Sequence, residues 1–177
     1  MIQIENLSKN YGSKVVLDDI SATFRSGKII GLLGPNGAGK TTFLKILAGV
    51  AGDYKGVVRV GGFEVGPKTK EITSYSPDCE YLPGWMSLNQ IAKVYSDYFS
   101  DFNSERAFML AERFKLDPKQ KIKNMSKGMQ EKIQLALTLS RKAQIYLLDE
   151  PIGGVDPASR AAIMDLIIGE YREDAVM

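Results

Sequence analysis

The sequence predicts an α/β fold with a mostly parallel central sheet, an antiparallel β flank at the N-terminus and an inserted helical subdomain. Two apolar runs, residues 29–33 and 145–148, are typical of strands that are buried on both faces of a parallel sheet. Residues 2–7 alternate between apolar and polar side chains, and residues 15–24 are rich in β-branched side chains, which indicates antiparallel strands. Residues 80–140 instead carry helix caps and helical apolar spacing.

Composition favours one globular domain in a reducing compartment. The chain has 177 residues, enough for one sizeable core, and a net charge of +2, which gives no electrostatic reason to expect nucleic acid as a partner. It contains no apolar run long enough to cross a bilayer and no secretory signal. Cys79 is the single cysteine, so no internal disulfide is possible. We expect one domain over residues 1–177, with a core of 1–79 and 141–177 around a helical subdomain of 80–140.

The elements of the first half follow from local patterns. A helix that begins near residue 40 is expected to end at Gly49. Residues 56–65 predict a hairpin with a glycine turn. Residues 72–76 predict another short strand, which Pro77 stops because proline cannot donate to a strand ladder.

Three helices are predicted in the subdomain. Ser87 and Gln90 form a capping box for a helix that ends near Phe99, Asn103 caps a second helix, and Ser126 caps a third. We expect the aromatic side chains of the first two helices to form a core between helices: Tyr95, Tyr98, Phe99, Phe102 and Phe108.

The C-terminal part predicts a helix and the start of a strand. Asp156 is placed to cap a helix over about 158–171, and Pro157 is tolerated in its first turn. Residues 175–177 look like the opening of another strand, so we expect the 177 residues to be part of a longer protein.

One stretch of the chain carries specific chemistry, because a glycine-rich turn between an apolar strand and a helix forms a phosphate cradle. Gly34, Gly37 and Gly39 allow successive amides to point inward, and the helix N-terminus adds a partial positive charge. Lys40 supplies a full charge for the outer phosphates, and the Thr41 hydroxyl can bind Mg²⁺. The complete expected cradle is Gly34, Pro35, Asn36, Gly37, Ala38, Gly39, Lys40, Thr41 and Thr42.

Two carboxylates follow the second apolar run. Parallel strands deliver their C-terminal ends to one crevice, so Asp149 is expected to hold Mg²⁺ next to Thr41. Glu150 cannot duplicate that role and is placed to polarise a water molecule that attacks the γ-phosphate. An alternative is that both charges simply end a strand in solvent.

Two further features are ambiguous in isolation. Ser126 caps a helix whose first turn contains Gly128, which is either an ordinary helix start or an anion site for a second molecule's nucleotide. Tyr11, which is expected in the loop between the first two strands, either stacks on a nucleotide base or covers a sheet edge.

These residues together resemble the ATP-binding subunit of ATP-binding cassette (ABC) transporters over essentially the whole chain. Residues 34–41 match the Walker A loop, residues 145–149 match Walker B, and Glu150 stands at the catalytic glutamate. Ser126–Gln130 stands at the signature sequence, and the D-loop and the aromatic A-loop position are matched as well, by residues 154–156 and by Tyr11. The resemblance implies a P-loop NTPase core, ATP and Mg²⁺.

The resemblance also implies a mechanism and partners. Two such domains pack head to tail, and Ser126 and Gly128 complete the partner's γ-phosphate site. The motion passes through the helical subdomain and the loop around Asp78 to an integral-membrane permease, which places the chain in the cytoplasm on the inner face of the cell membrane.

Three positions depart from the family's pattern. Asp78 replaces the Q-loop glutamine, and we expect it to hold water or Mg²⁺. Lys127 and Met129 replace a glycine and a glutamine of the signature, a form similar to a branch of bacterial ABC-2-type exporters. The switch histidine is missing, since the chain has no histidine, so we expect the 177 residues to bind ATP but to hydrolyse it poorly.

Other function classes remain as alternatives. A soluble ABC-type ATPase of translation or DNA repair would usually bring a tandem cassette or a long coiled coil. A small P-loop kinase would have little use for a water-activating Glu150, and a P-loop GTPase would bring a guanine-reading motif. A regulatory nucleotide-binding module would bind ATP without turnover, which a Glu150→Gln variant can distinguish from an active enzyme.

Overall fold

The computed structural model describes residues 1–153 and 157–177, which divide into two compact units. The first unit consists of three segments: Met1–Tyr75, Ala143–Asp149 and Tyr171–Met177. The second consists of two: Ser76–Lys142 and Glu150–Glu170. The α/β class is confirmed, since an antiparallel sheet, parallel strand pairing and helices are all present. The expected division of the chain at residues 80 and 140 stays a prediction.

The first unit contains a four-stranded antiparallel sheet with the order β2-β1-β3-β4. Its strands are β1 (Ile2–Tyr11), β2 (Lys14–Phe24), β3 (Lys55–Val60) and β4 (Phe63–Glu64). The N-terminal flank and the glycine hairpin are therefore confirmed. Tyr11, which the sequence placed in a loop, is the last residue of β1, because its pairing with Lys14 extends the strand to the turn.

A second, two-stranded sheet in the described ranges pairs β5 (Thr73–Ser76) with β6 (Ile145–Leu148). Val176 bridges both Ile145 and Lys28 in parallel, as the strand expected at residues 175–177 requires. The helices of this unit are α1 (Lys40–Leu47) and α2 (Pro67–Ile72). Helix α2 was not predicted from the sequence, although Pro67 in its first turn is a recognised helix-start signal.

The buried central strand predicted at residues 29–33 is wrong. In the described part of the chain, the pairing of this stretch ends with hydrogen bonds between Ile30 and Met177 and between Met177 and Lys28. The side chains are correspondingly exposed, at 44% for Leu32 and 92% for Leu33. An apolar run indicates that a strand could be buried on both faces, but its burial depends on the strands that lie beside it.

The second unit is helical and buries its own core. Its helices are α3 (Leu88–Tyr98), α4 (Ser104–Arg113), α5 (Lys127–Leu139) and α6 (Pro157–Gly169), with one 3₁₀ turn at Ile122–Asn124. The caps expected at Ser87, Asn103 and Ser126 are present. The largest fully buried side chains of this core come from α3, α5 and the 3₁₀ turn: Leu88, Ile122, Ile133 and Leu137.

The aromatic stripe is confirmed in part. Tyr95 packs against Phe99 and Phe102, with ring centroids 5.5 and 5.3 Å away. Tyr98 was expected in the same core but is 80% exposed, although its spacing from the buried Ile91 places it on the same face; it is the last residue of α3. No helix in the described ranges combines the length and the apolar character that a membrane crossing requires.

Candidate functional site

The glycine-rich loop ends at a position that accepts no side chain. Gly39 is the N-cap of α1 and has φ 92°, in the left-handed region that favours glycine. A Cβ atom there would lie 2.8 Å from the carbonyl oxygen of Val16 and 2.9 Å from a methyl group of Leu17. Strand β2 therefore packs directly against the loop, and this close approach fixes where α1 begins.

The N-terminus of α1 is prepared for an anion. No side chain caps it and its first turn contains no acidic residue, so its amides and its partial positive charge are not neutralised from within the helix. The Lys40 ammonium donates hydrogen bonds to the carbonyl oxygens of Gly34, at 2.9 Å, and Pro35, at 3.0 Å. The lysine therefore folds back over the loop and concentrates positive charge there.

Thr41 and Asp149 meet, as the sequence predicted from the parallel sheet. The Thr41 hydroxyl donates to a carboxylate oxygen of Asp149 at 3.1 Å, and Asp149 is 4% exposed. Oxygen ligands are what Mg²⁺ prefers, and two adjacent ligands of an octahedral Mg²⁺ lie about 3 Å apart. The two side chains therefore fit a magnesium site that substrate phosphates and water would complete.

Tyr11 lies in the same unit, at the end of β1, and is 51% exposed. Its ring therefore keeps surface on which a planar group could stack. The first unit thus holds four of the features that the sequence singled out, namely the loop, Lys40, the pair Thr41–Asp149 and Tyr11.

The second unit holds the remaining described candidates. Ser126 is exposed and caps α5, since its hydroxyl oxygen accepts from the Met129 amide at 3.3 Å. Gly128 lies in the first turn of α5, which contains no acidic residue. Lys127 in the same turn is paired with Glu131 at 3.7 Å. The signature-like helix therefore begins with a satisfied cap and a positively charged first turn.

Asp78 is exposed in the segment that follows β5. The next residue is held by α5, because the side-chain amide of Gln134 donates to the carbonyl oxygen of Cys79 at 2.9 Å. Gln134 is 4% exposed, and its role was not predicted from the sequence. The available signal was a polar residue among apolar helix positions, since buried polar side chains are normally hydrogen-bonded.

Glu150 is exposed and has φ 49°, a conformation that non-glycine residues rarely adopt. A turn holds it there, because its carbonyl oxygen accepts from the Gly153 amide at 2.9 Å. Left-handed non-glycine residues of this kind are often found at functional sites. The D-loop residues 154–156, which include Asp156, lie outside the described residues.

Comparison with known proteins gives consistent matches. The chain is 30% identical to the ABC transporter ATP-binding protein YtrB of Bacillus subtilis over 175 residues, which cover 98% of this chain and 60% of YtrB. It is 34% identical to the tungstate uptake system ATP-binding protein TupC of Peptoclostridium acidaminophilum over 176 residues, which cover 97% of this chain and 82% of TupC.

A solved structure from Pyrococcus furiosus, described as that of an ABC transporter ATP-binding protein, has a TM-score of 0.84 to this fold at 29% identity. That match covers 99% of this chain and 88% of the Pyrococcus chain. The chain spans about 60% of the length of YtrB and 64% of the length of MJ1023, a relative from Methanocaldococcus jannaschii. The ABC transporter family itself matches residues 17–153, well over half of the chain. The chain therefore belongs to the ABC transporter family, among its ATP-binding proteins.

Proposed function

We propose that the chain binds ATP with Mg²⁺ in its first unit and hydrolyses it as the ATP-binding subunit of an ABC transporter. The observation that carries this proposal is the 3.1 Å contact between Thr41 and Asp149, next to a loop that is closed by Lys40. A phosphate cradle and a pair of oxygen ligands for Mg²⁺ are the two parts that binding of a nucleoside triphosphate requires.

Each residue of the first unit has a distinct role in this proposal. The amides of Gly34–Gly39 and the α1 N-terminus hold phosphate oxygens, and the Lys40 ammonium exchanges its two loop carbonyls for the outer phosphates. Thr41 and Asp149 hold the metal, which would neutralise charge on the β- and γ-phosphates. Tyr11 stacks on the base.

Glu150 and Asp78 supply the hydrolytic part. The Glu150 carboxylate accepts a proton from the water molecule that attacks the γ-phosphate, and its exposed, turn-held position supports this role. Asp78 is exposed beside a carbonyl group that Gln134 fixes, which supports a role in holding water or Mg²⁺.

A second copy completes the site. Ser126 and Gly128 of one copy contact the γ-phosphate held by the loop of the other, so that ATP closes a head-to-tail dimer. The exposure of Ser126 and the lack of acidic residues in the first turn of α5 support this arrangement, because no carboxylate of that turn would repel the phosphate oxygens.

The transport partner is proposed from the relatives. TupC is named for tungstate uptake, and another relative from Sinorhizobium fredii, 34% identical, is named for Nod factor export. We accordingly assign this chain a membrane permease as partner and a place on the cytoplasmic face of the membrane. A single ATPase domain over residues 1–177, with a helical subdomain at 80–140, suits this role. The net charge of +2 gives nucleic acid no part in it.

The experiment is an ATP trap. Glu150→Gln should leave ATP binding intact and remove hydrolysis, so MgATP should convert this variant into a stable dimer in sedimentation velocity. Glu112→Gln, the same change at an exposed position of α4, should dimerise no better than the unchanged chain. A Glu150→Gln variant that binds ATP and stays monomeric would contradict the proposed cycle.

A further inference from the structure

A lysine ammonium group lies over the ring of Tyr11. The Nζ atom of Lys9 is 4.9 Å from the ring centroid, within the range of a cation–π contact. The two residues are two positions apart on β1, whose register shifts between Lys9 and Asn10, and their side chains meet in this contact. The ring is still 51% exposed, which leaves surface for a ligand.

Backbone carbonyl groups hold the Lys9 ammonium group in place. Lys9 is 6% exposed, and its Nζ donates to the carbonyl oxygens of Gly52, at 2.9 Å, and Asp53, at 2.6 Å. The Asp53 carboxylate lies 3.6 Å away. A buried charge is costly unless it is paired and hydrogen-bonded, and these contacts meet that need. The cation is therefore a fixed point, not a mobile surface charge.

The two carbonyl groups belong to the segment that follows α1, the helix whose N-terminus forms the phosphate cradle. Lys9 consequently connects that segment with the ring of Tyr11. The distance between the base and the phosphates is set by the nucleotide. An aromatic ring that is already held in place before binding loses less conformational freedom when it stacks on the base.

We infer that Lys9 is a positioning residue for nucleotide recognition: its ammonium group holds the Tyr11 ring in place for stacking against the purine base. This inference rests on the proposed ATP site. It predicts that Lys9 contributes to affinity only for ligands that carry a base. From the usual strength of an exposed cation–π contact, the contribution should be about twofold to fivefold in Kd.

The test compares MgATP with magnesium tripolyphosphate, which has the phosphates but no base. Affinities of the full chain are measured by isothermal titration calorimetry. Lys9→Met should weaken MgATP binding about twofold to fivefold and leave tripolyphosphate binding unchanged. Lys9→Arg should restore most of the affinity for ATP, because a guanidinium group can donate to two carbonyl groups and stack on an aromatic ring.

Two further variants keep the test decisive. Lys9→Gln removes the cation but keeps an amide that can donate to the carbonyl groups, so it gives the same comparison should Lys9→Met fail to fold. Asp53→Asn removes only the exposed carboxylate and should leave the affinity ratio of the two ligands unchanged.

Tyr11→Ala separates the two ideas. If it leaves the ratio of ATP to tripolyphosphate affinity unchanged, base stacking in the proposed site is wrong. If Tyr11→Ala lowers that ratio while Lys9→Met and Lys9→Gln do not, the site stands and the role of Lys9 is overturned. A loss of affinity for both ligands in the Lys9 variants would likewise overturn it, because that result indicates a purely structural role.

Discussion

The two helix N-termini that carry the proposed site, those of α1 and α5, are built differently. Both lack acidic residues in the first turn and both begin with a lysine, Lys40 or Lys127. Helix α1 has no side-chain cap and starts from a left-handed glycine, whereas α5 is capped by the Ser126 hydroxyl. The start of α1 therefore leaves its amides for a ligand, whereas in α5 one of the first amides already donates to the Ser126 hydroxyl.

Lys40 and Lys127, the first residues of the two helices, also have different partners. Lys40 lies back over a loop of its own chain, where it donates to Gly34 and Pro35, whereas Lys127 pairs along its helix with Glu131. The α1 start has the loop, the Lys40 ammonium and the Thr41–Asp149 pair beside it, so we propose that it holds the phosphate groups of ATP by itself. Ser126 at the α5 start is exposed, and its proposed role is only to add a contact to a phosphate that another copy holds. The proposed ATP site therefore needs two copies of the chain.

The largest expected effect concerns Gly39, because the N-cap position of α1 tolerates no side chain. Gly39→Ala places a Cβ atom 2.8 Å from the Val16 carbonyl oxygen at a left-handed residue, so it should destabilise the fold by the conformational cost of about 1–2 kcal/mol plus an overpacking cost of about 1–3 kcal/mol. Gly37→Ala, with φ 81° and no atom within 4 Å, should show the conformational cost alone. Urea unfolding measures both, and equal losses would show that β2 does not constrain the loop.

Removing each lysine in turn tests the difference between the two helix starts. Lys40→Ala should weaken MgATP binding about tenfold to a hundredfold, because the outer phosphates lose a charged hydrogen-bond donor. Lys127→Ala is the matched control and should leave the affinity of dilute, monomeric protein unchanged. Titration calorimetry measures both, and similar losses in the two variants would contradict the distinction between the helix starts.

The cap of α5 should matter twice. Ser126→Ala should cost about 1 kcal/mol of unfolding free energy, the usual value of an N-cap, and should also abolish ATP-driven dimerisation in the Glu150→Gln background. Asn103→Ala removes the cap of α4, in which the Asn103 side chain accepts a hydrogen bond from the Arg106 amide at 2.9 Å. It should cost a similar stability and leave dimerisation intact, as sedimentation velocity can show. Loss of dimerisation in both variants would indicate an effect of stability alone.

A small pH effect should arise in the unit that carries α5. The hydroxyl groups of Tyr81 and Tyr95 are 3.1 Å apart, and burial is the main cause that raises the pKa of both. Because tyrosine in an unfolded chain titrates near 10, the stabilising contribution of the neutral pair is complete below that pH and is lost as pH rises further.

Trp85, the single tryptophan, lies in the second unit, so its fluorescence can follow urea unfolding there at pH 8 and above pH 10. Tyr95→Phe should reduce the loss of stability on going to high pH. An unchanged pH dependence in that variant would show that the tyrosine pair carries no such linkage.

Local chemistry made much of this site predictable. The spacing of Gly34–Thr41 and the polar residues at Ser126 and Asn103 specify a loop and two caps through short-range hydrogen bonding, and the structure has all three. The contact of Thr41 with Asp149 followed from the rule that parallel strands end at one edge of a sheet.

What failed depended on tertiary neighbours. Nothing in the run at residues 29–33 tells how many strands flank it, and helical spacing alone did not separate the exposed Tyr98 from Tyr95. Lys9 and Gln134 were missed for the same reason, since each satisfies carbonyl groups more than 40 positions away in the chain. Only the fold shows that these polar side chains have such partners.

Mixing subunits tests the central claim, that each ATP lies between the loop of one copy and α5 of another. All chains carry Glu150→Gln, and the measurement is ATP retained after gel filtration. Lys40→Ala abolishes one half of the site, and Ser126→Asp adds a charge that repels phosphate while aspartate still caps the helix. Neither variant alone should retain ATP, but their mixture should retain one ATP per mixed dimer, because one unaltered loop then faces one unaltered Ser126. A mixture that retains no more ATP than its separate components would contradict the account.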